Sequence, residues 1–219
     1  MDSQFYQKAS NILGYDIRAK KEINTSSQLL RKFEIFDSDW TKLSKHYGFH
    51  LTIGDSIDFD VSMIIDIQNK LSDIVKCFNN SDNYTLTQCK ELIPGWENLI
   101  VLRYDPSGNL KYLHSLVTTE INTLGTSSVY TKQLNKFTEQ HHKKKIKLFN
   151  APFVLSDWKP HFTLFNPIPT KNINVLKNTI LSLFCEYTQI IVKSVCLVIQ
   201  ENDNEYWQIL KEYKLNRNI

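Results

Sequence analysis

Apolar residues return every three or four positions in three stretches of this chain. The clearest stretch covers residues 61–78, and similar stripes cover about 108–124 and 176–187. Within residues 61–78 the stripe consists of Val61, Ile64, Ile65, Leu71, Ile74, Val75 and Phe78. A period near 3.6 places such residues on one face of a helix, so the sequence predicts three amphipathic helices.

Four shorter runs are rich in residues typical of strands, and turn-forming residues separate them in pairs. The first pair is 84–92 and 96–104, around Pro94-Gly95; the second pair is 190–200 and 205–213, around Asn202-Asp203-Asn204. Each pair predicts an antiparallel β-hairpin.

Two further segments are similar to each other. They are Tyr47-Gly48-Phe49-His50-Leu51-Thr52-Ile53 and Lys159-Pro160-His161-Phe162-Thr163-Leu164-Phe165, and each contains a His-x-Thr triplet among apolar residues. In a strand, side chains at i and i+2 point to the same face. Both segments therefore predict a half-buried strand that presents its histidine and its threonine on one side and packs its apolar residues on the other.

The elements follow the same order twice. Each His-x-Thr segment precedes one predicted helix and then one predicted hairpin, while the helix near 108–124 lies between the two units. This repetition, together with the paired motifs, is the strongest indication of function in the sequence.

In these features the chain resembles the 2H phosphoesterase superfamily over roughly residues 46–213. The resemblance implies an α+β fold in which two lobes are related by a pseudo-twofold axis, with two antiparallel sheets and flanking helices around a central cleft. The lobes are expected at about 46–125 and 158–213, linked by 126–157, within a domain of 46–219. Residues 1–45 match no motif and are expected to be an extension packed on that domain. The Tyr-Gly-Phe-His-x-Thr sequence of the first motif is most similar to that of a bacterial branch of the superfamily often linked to phosphonate metabolism.

The resemblance implies metal-independent hydrolysis of a cyclic phosphate or a 2′-linked phosphodiester. Carried over to this sequence, His50 and His161 are the general acid and base, while Thr52 and Thr163 hydrogen-bond the non-bridging phosphate oxygens. The expected substrates are 2′,3′-cyclic nucleotides, 2′,5′-oligonucleotides or related RNA-derived phosphodiesters, with no cofactor. Independently of any family, imidazole suits both roles because its ordinary pKa of about 6.5 lies near neutral pH.

Three neighbours of the motifs are further candidates for substrate binding. Tyr47 and Trp158 are positioned to stack on a base, and Lys159 to neutralise phosphate if its strand extends through Pro160. For all three the alternative is an ordinary core or surface position. His114 lies near its apolar helical stripe and is expected to pack there.

Metal ligands, membrane spans and other catalytic motifs have weak support in the sequence. The four cysteines (Cys77, Cys89, Cys185, Cys196) lack ligand spacing, and neither a Gly-x-Ser-x-Gly elbow nor a Gly-rich phosphate loop occurs. No run of 18 apolar residues and no signal-peptide pattern near Met1 is present, and unpatterned cysteines fit reduced thiols. We therefore expect a cytoplasmic, monomeric enzyme with no metal and no membrane partner.

The net charge of +3 is too small to indicate nucleic-acid binding, but residues 141–147 (HHKKKIK) form a basic run. They are either a solvated loop or the end of a helix, or else an electropositive lip that attracts phosphate-bearing substrates. Two other functions stay open from sequence alone. One alternative is a non-catalytic RNA- or nucleotide-binding module. The other is an interaction protein that uses the basic run.

Overall fold

The structure, a computed structural model, describes residues 3–23, 38–78, 83–94, 96, 98–168, 173–202 and 205–215. The α-helices are α1 (Ser3–Leu13), α2 (Lys42–Tyr47), α3 (Ile64–Lys76), α4 (Gly108–Glu120), α5 (Val129–Lys132), α6 (Gln140–Phe149) and α7 (Ile173–Phe184). The strands are β1 (Tyr15–Asp16), β2 (Lys21–Glu22), β3 (Thr85–Gln88), β4 (Ile100–Pro106), β5 (His161–Phe165), β6 (Gln189–Ile191), β7 (Ser194–Ile199) and β8 (Gln208–Lys214). Short 3-10 turns occur at Ser38–Thr41, Val61–Met63, Asn122–Leu124, Leu134–Lys136 and Leu155–Asp157.

The three helices predicted from apolar periodicity are confirmed as α3, α4 and α7. The predicted helix at 61–78 begins with a 3-10 turn, where the Asp60 carboxylate accepts a hydrogen bond from the backbone N–H of Ser62. Such a cap satisfies one of the amide groups that a helix start leaves unpaired. The faces that carry the stripes are buried, for example Ile67, Leu71 and Ile74 in α3.

The largest sheet has four antiparallel strands in the order β5-β4-β3-β6. Both predicted hairpins are confirmed as antiparallel pairs, β3 with β4 and β7 with β8. The strands are shorter than predicted, and the turn residues Gly95, Asp203 and Asn204 lie outside the described residues. The run predicted to begin at Ile190 is divided, since β6 joins the four-stranded sheet and β7 forms the separate pair.

One predicted strand is wrong. Residues 49–53 form no strand, although Phe49 is buried and both Leu51 and Ile53 pack against the core. The side chains thus alternate as expected, but a ladder of backbone hydrogen bonds is missing. The physical reason is that side chains of the second half of the chain hydrogen-bond the carbonyl oxygens of Thr52 and Ile53.

The core lies against one face of the four-stranded sheet and includes the N-terminal helix. Phe5 of α1 is fully buried and makes edge contacts with five aromatic rings, those of Phe49, Tyr104, Phe162, Phe184 and Tyr187, at centroid distances of 5.1–6.1 Å. Edge-to-face packing of this kind stabilises beyond the area that it buries. The described part of the segment 1–45 therefore shares the main core, while residues 24–37 lie outside the described residues.

The fold is α+β, as predicted, with antiparallel sheets covered by helices. None of the helices in the described ranges combines the length and the apolar character needed to cross a membrane.

Replacing Phe5 by alanine should lower the free energy of unfolding by about 3–5 kcal/mol, because it removes a fully buried ring and leaves a cavity among aromatic neighbours. Urea denaturation followed by tryptophan fluorescence measures the loss. Leu148→Ala is the control, since this side chain is 63% exposed and should change stability little. Equal losses in the two variants would contradict a core role for α1.

Candidate active site

The second motif lies on edge strand β5, where side chains alternate between the two faces. Phe162 and Leu164 are fully buried, whereas His161 and Thr163 are half-buried on the opposite face. The predicted division of the strand into an apolar side and a His-x-Thr side is therefore confirmed for this copy.

The first motif follows the end of α2. Gly48 has a φ of +65°, and a β-carbon at this position would lie 2.8 Å from Cβ of Ile17. Glycine alone meets both demands without strain. The turn at Gly48 directs Phe49 into the core and leaves His50 exposed and Thr52 half-buried.

The two motifs are in contact through their apolar residues. The rings of Phe49 and Phe162 stack with centroids 4.9 Å apart and planes inclined by 17°. Because Phe49 precedes His50 and Phe162 follows His161, this stack holds the two histidines near each other. A positive charge on His50 accordingly lowers the pKa of His161. The structure therefore brings the two predicted acid–base residues together.

Both imidazoles make the same local contact. Nδ1 of His50 lies 2.9 Å from the carbonyl oxygen of Gly48, and Nδ1 of His161 lies 2.8 Å from that of Lys159. A carbonyl oxygen can only accept, so Nδ1 carries the proton in each ring. In the neutral rings Nε2 is then the basic nitrogen, and in the charged rings it is the acidic one. In each copy of the motif Nδ1 is thus engaged by the backbone, and Nε2 is the nitrogen that can bond a ligand.

Burial by the surrounding protein lowers the pKa of both histidines below its ordinary value, although the surface of His50 is accessible to solvent. The contact with the preceding carbonyl opposes this shift in each case. For His161, the charges of His50 and Arg103 lower the pKa further. In the free protein both shifts favour the neutral form of the ring.

The two threonines keep their side-chain hydroxyls available. Among the described residues, neither the hydroxyl of Thr52 nor that of Thr163 takes part in a hydrogen bond. Both hydroxyls can therefore donate to a ligand.

The side chains of His114 and Trp158 hydrogen-bond the backbone of the first motif. Nδ1 of His114 donates to the carbonyl oxygen of Ile53 at 2.6 Å, and its Nε2 accepts the backbone N–H of Leu155 at 2.9 Å. The Trp158 ring stacks on His114 at 4.2 Å, and its Nε1 donates to the carbonyl oxygen of Thr52 at 3.1 Å. His114 packs in the interior as predicted, with the added role of a hydrogen-bonded bridge. One face of Trp158 is already occupied by His114, which makes it a supporting residue for the motif.

The other predicted neighbours have different surroundings. Tyr47 is 44% exposed, and its ring centroid lies 6.3 Å from that of His50. Lys159 is exposed, and its backbone oxygen orients His161. Strand β5 begins at His161, so the extension through Pro160 on which the placement of Lys159 depended is not found.

Arg103 is a site residue that the sequence did not indicate. It lies on β4 directly opposite His161 on β5, and opposed residues of an antiparallel pair point to the same face. Its Nε is buried and, within the part of the chain that the structure describes, has no hydrogen-bond partner. A guanidinium in this state is ready to bind an anion. No local motif marks Arg103, because its proximity to His161 depends only on strand register.

The sequence also did not indicate two tryptophans and one carboxyl group that lie near the motifs in space or in sequence. The ring of Trp96 meets His161 edge-on at 5.0 Å, and Trp207 lies 5.6 Å from Tyr47. Burial raises the pKa of Asp55, five residues after His50, to about 6. Trp96 and Trp207 lie in the segments predicted as strands, and their placement at the site follows from tertiary packing.

The basic run at 141–147 is helical, since it lies within α6, and the side chain of Ile146 is fully buried. Here, among the described residues, three metal-ligating side chains converge: His141, His142 and Asp157. This group excludes both motif histidines. A surface pocket of about 400 Å³ includes no residue of this group or of the two motifs. It is lined by Tyr15, Lys20, Glu22, Glu205, Tyr206 and Gln208.

Replacing Arg103 by glutamine should raise the pKa of His161, because it removes a neighbouring positive charge that disfavours the imidazolium. The pKa of His50, whose shift does not involve Arg103, should change less. Histidine ring resonances followed by NMR across the pH range measure both values. Arg18→Gln is the matched control and should leave the pKa of His161 unchanged, since Arg18 does not contribute to its shift. An unchanged pKa of His161 in Arg103→Gln would show that Arg103 and His161 do not face each other.

Trp158→Phe should destabilise the protein more than Trp207→Phe, by about 1 kcal/mol. Both changes remove similar ring volume, but only Trp158 donates a hydrogen bond through Nε1, whereas Nε1 of Trp207 has no partner among the described residues. Urea denaturation of both variants gives the difference. Equal destabilisation would mean that the bond to Thr52 contributes nothing.

Comparison with known proteins gives one family match. The family model described as "Protein of unknown function (DUF1045)" matches residues 122–208. The match includes the second His-x-Thr motif and begins after the first. No curated protein is significantly similar to the chain.

Proposed function

We propose that the protein is a metal-independent phosphodiesterase of the 2H type, with His50 and His161 as general acid and base. The observation that carries the proposal is the matched contact of the two imidazoles, each with Nδ1 on the carbonyl oxygen two residues earlier. The repeated order of motif, helix and hairpin supports a pseudo-twofold relation between the two halves. The proposed substrates are cyclic phosphates or 2′-linked phosphodiesters of nucleotides.

In the proposed reaction one neutral imidazole takes a proton from the attacking water through Nε2. The other, protonated imidazole gives a proton from Nε2 to the leaving oxygen. The bond from water to phosphorus forms as the bond from phosphorus to the leaving oxygen breaks, and one proton enters and one leaves the histidine pair. The hydroxyls of Thr52 and Thr163 donate to the non-bridging oxygens, which carry the charge in the transition state.

Arg103 gives this site its preference for an anion. Its charge lies beside His161, where it lowers the pKa of the imidazole in the free protein. A bound phosphodiester supplies the missing negative charge, which favours protonation of a neighbouring histidine. Substrate binding thus prepares the acid, while the other histidine remains available as the base. Such a pair produces a bell-shaped dependence of rate on pH.

Aromatic rings surround the histidines and are suited to the nucleoside part of the substrate. Tyr47 and Trp96 both lie within ring-contact distance of a motif histidine. Stacking on a base is worth about 1–3 kcal/mol and tolerates different bases. The same rings would serve a nucleotide-binding module that does not turn its ligand over, which is the second candidate function.

Replacement of either histidine by alanine should lower the rate by about 10²- to 10⁴-fold, which is the usual contribution of a positioned acid or base. The assay measures product formation in EDTA from a panel of 2′,3′-cyclic nucleotides and 2′,5′-linked oligonucleotides. His141→Ala is the matched control, because this exposed residue lies outside the two motifs and should leave the rate unchanged.

Two results would contradict the proposal. Activity that EDTA abolishes and a divalent metal restores would indicate metal-dependent chemistry. Tight binding of panel members without turnover by the unmodified protein would favour the binding module.

A further inference from the structure

Three ligand-type side chains meet at the start of α6, away from the two motifs. Nε2 of His141 lies 3.6 Å and Nε2 of His142 lies 3.7 Å from the same carboxylate oxygen of Asp157. The ligand atoms of all three residues lie within 4.8 Å of one another. The three residues lie outside both His-x-Thr motifs, and among the described residues none of their hydrogen bonds, ion pairs or ring contacts involves His50 or His161.

We propose that His141, His142 and Asp157 bind a transition-metal ion of the zinc type. Zinc bonds to imidazole nitrogen and carboxylate oxygen are about 2.0–2.2 Å long, so ligand atoms around a tetrahedral ion lie about 3.3–3.5 Å apart. The two histidine–carboxylate distances of 3.6 and 3.7 Å are close to this value. The ligand atoms of the two histidines lie within 4.8 Å of each other, so rotation of the exposed His141 ring would bring all three onto one ion. His141 is 56% exposed, so solvent reaches the cluster and a water molecule could supply a fourth ligand.

The ligands are held in place by their surroundings. His142 is only 19% exposed, and its ring packs against Phe153 at 5.0 Å and Phe137 at 6.4 Å. The rings of His141 and His142 are 4.0 Å apart, so the two neighbours on the helix converge on the carboxylate. Pre-ordered ligands lose less entropy on binding an ion.

Lys145 competes with the metal for Asp157. Its Nζ lies 2.7 Å from the carboxylate oxygen that both histidines approach, and it lowers the pKa of Asp157. The same Nζ also donates to the carbonyl oxygen of Val154 at 2.9 Å and contacts the hydroxyl of Ser156 at 3.3 Å. Lys145 can therefore keep those two partners when an ion takes the carboxylate. The ammonium group acts as a resident cation whose removal should strengthen metal binding.

The expected role of the ion is structural. Asp157 precedes Trp158, which bonds the carbonyl oxygen of Thr52, and Lys159, which orients His161. An ion shared by α6 and Asp157 would anchor the chain segment that leads into the second motif. Activity of the proposed catalytic pair needs no metal, so chelation should lower stability and leave the rate per folded molecule unchanged.

Titration of the metal-free protein with Zn²⁺ by calorimetry tests the site. We expect one ion per chain and a rise in melting temperature. His142→Ala and Asp157→Asn should weaken binding by more than the roughly 10- to 100-fold that loss of an outer-shell partner costs. His141→Ala provides a second, exposed variant that should fold normally and also bind weakly. Lys145→Met should tighten binding by about fivefold or more, since even in water the repulsion of unit charges about 4 Å apart has this size.

Two controls separate this site from other zinc ligands in the chain. The His50→Ala/His161→Ala double variant and the Cys77→Ser/Cys185→Ser double variant should bind zinc as the unmodified protein does. Stoichiometric binding that persists in both His142→Ala and His141→Ala, or no saturable binding by the unmodified protein, would overturn the proposal. A failure of phosphodiesterase activity would leave these outcomes unaffected.

Discussion

The candidate site depends on the contacts made by the imidazole ring of His114. Its Nδ1 bonds the carbonyl oxygen of Ile53, its Nε2 receives the N–H of Leu155, and its face carries Trp158, which in turn bonds Thr52. One neutral imidazole on α4 therefore joins the chain just after the first motif to the chain just before the second. Burial lowers the pKa of His114, which keeps the ring neutral and Nε2 able to accept.

The charged groups that shift the pKa of His161 are all of one sign. His50, His161 and Arg103 are all groups that carry or accept positive charge, and each charge that interacts with His161 lowers its pKa. Structural ion pairs would bring a carboxylate to such a guanidinium, and the structure instead leaves Nε of Arg103 without a partner among the described residues. The unpaired charge is the physical reason for expecting an anionic ligand.

Sequence patterns predicted the elements whose signal is local and missed what depends on distant partners. Long apolar stripes located α3, α4 and α7, and alternation located β5. The strand expected at 49–53 was wrong because the indole of Trp158 and the imidazole of His114, rather than another backbone, bond its carbonyl oxygens. Arg103 was missed because its place beside His161 is set by the register of β4 and β5. Likewise, the approach of Asp157 to His142 has no local signature.

The position of Phe5 has a consequence for how the chain is made. This residue lies near the beginning of the sequence, yet its ring contacts Phe162, Phe184 and Tyr187. During synthesis α1 is therefore made well before these three partners, and its contacts with them can form only after β5 and α7 have followed. Contacts of such long sequence separation slow folding and prolong the exposure of apolar surface. Until those contacts form, the part of α1 that these rings cover stays exposed, and transiently exposed apolar surface is the kind that chaperones protect.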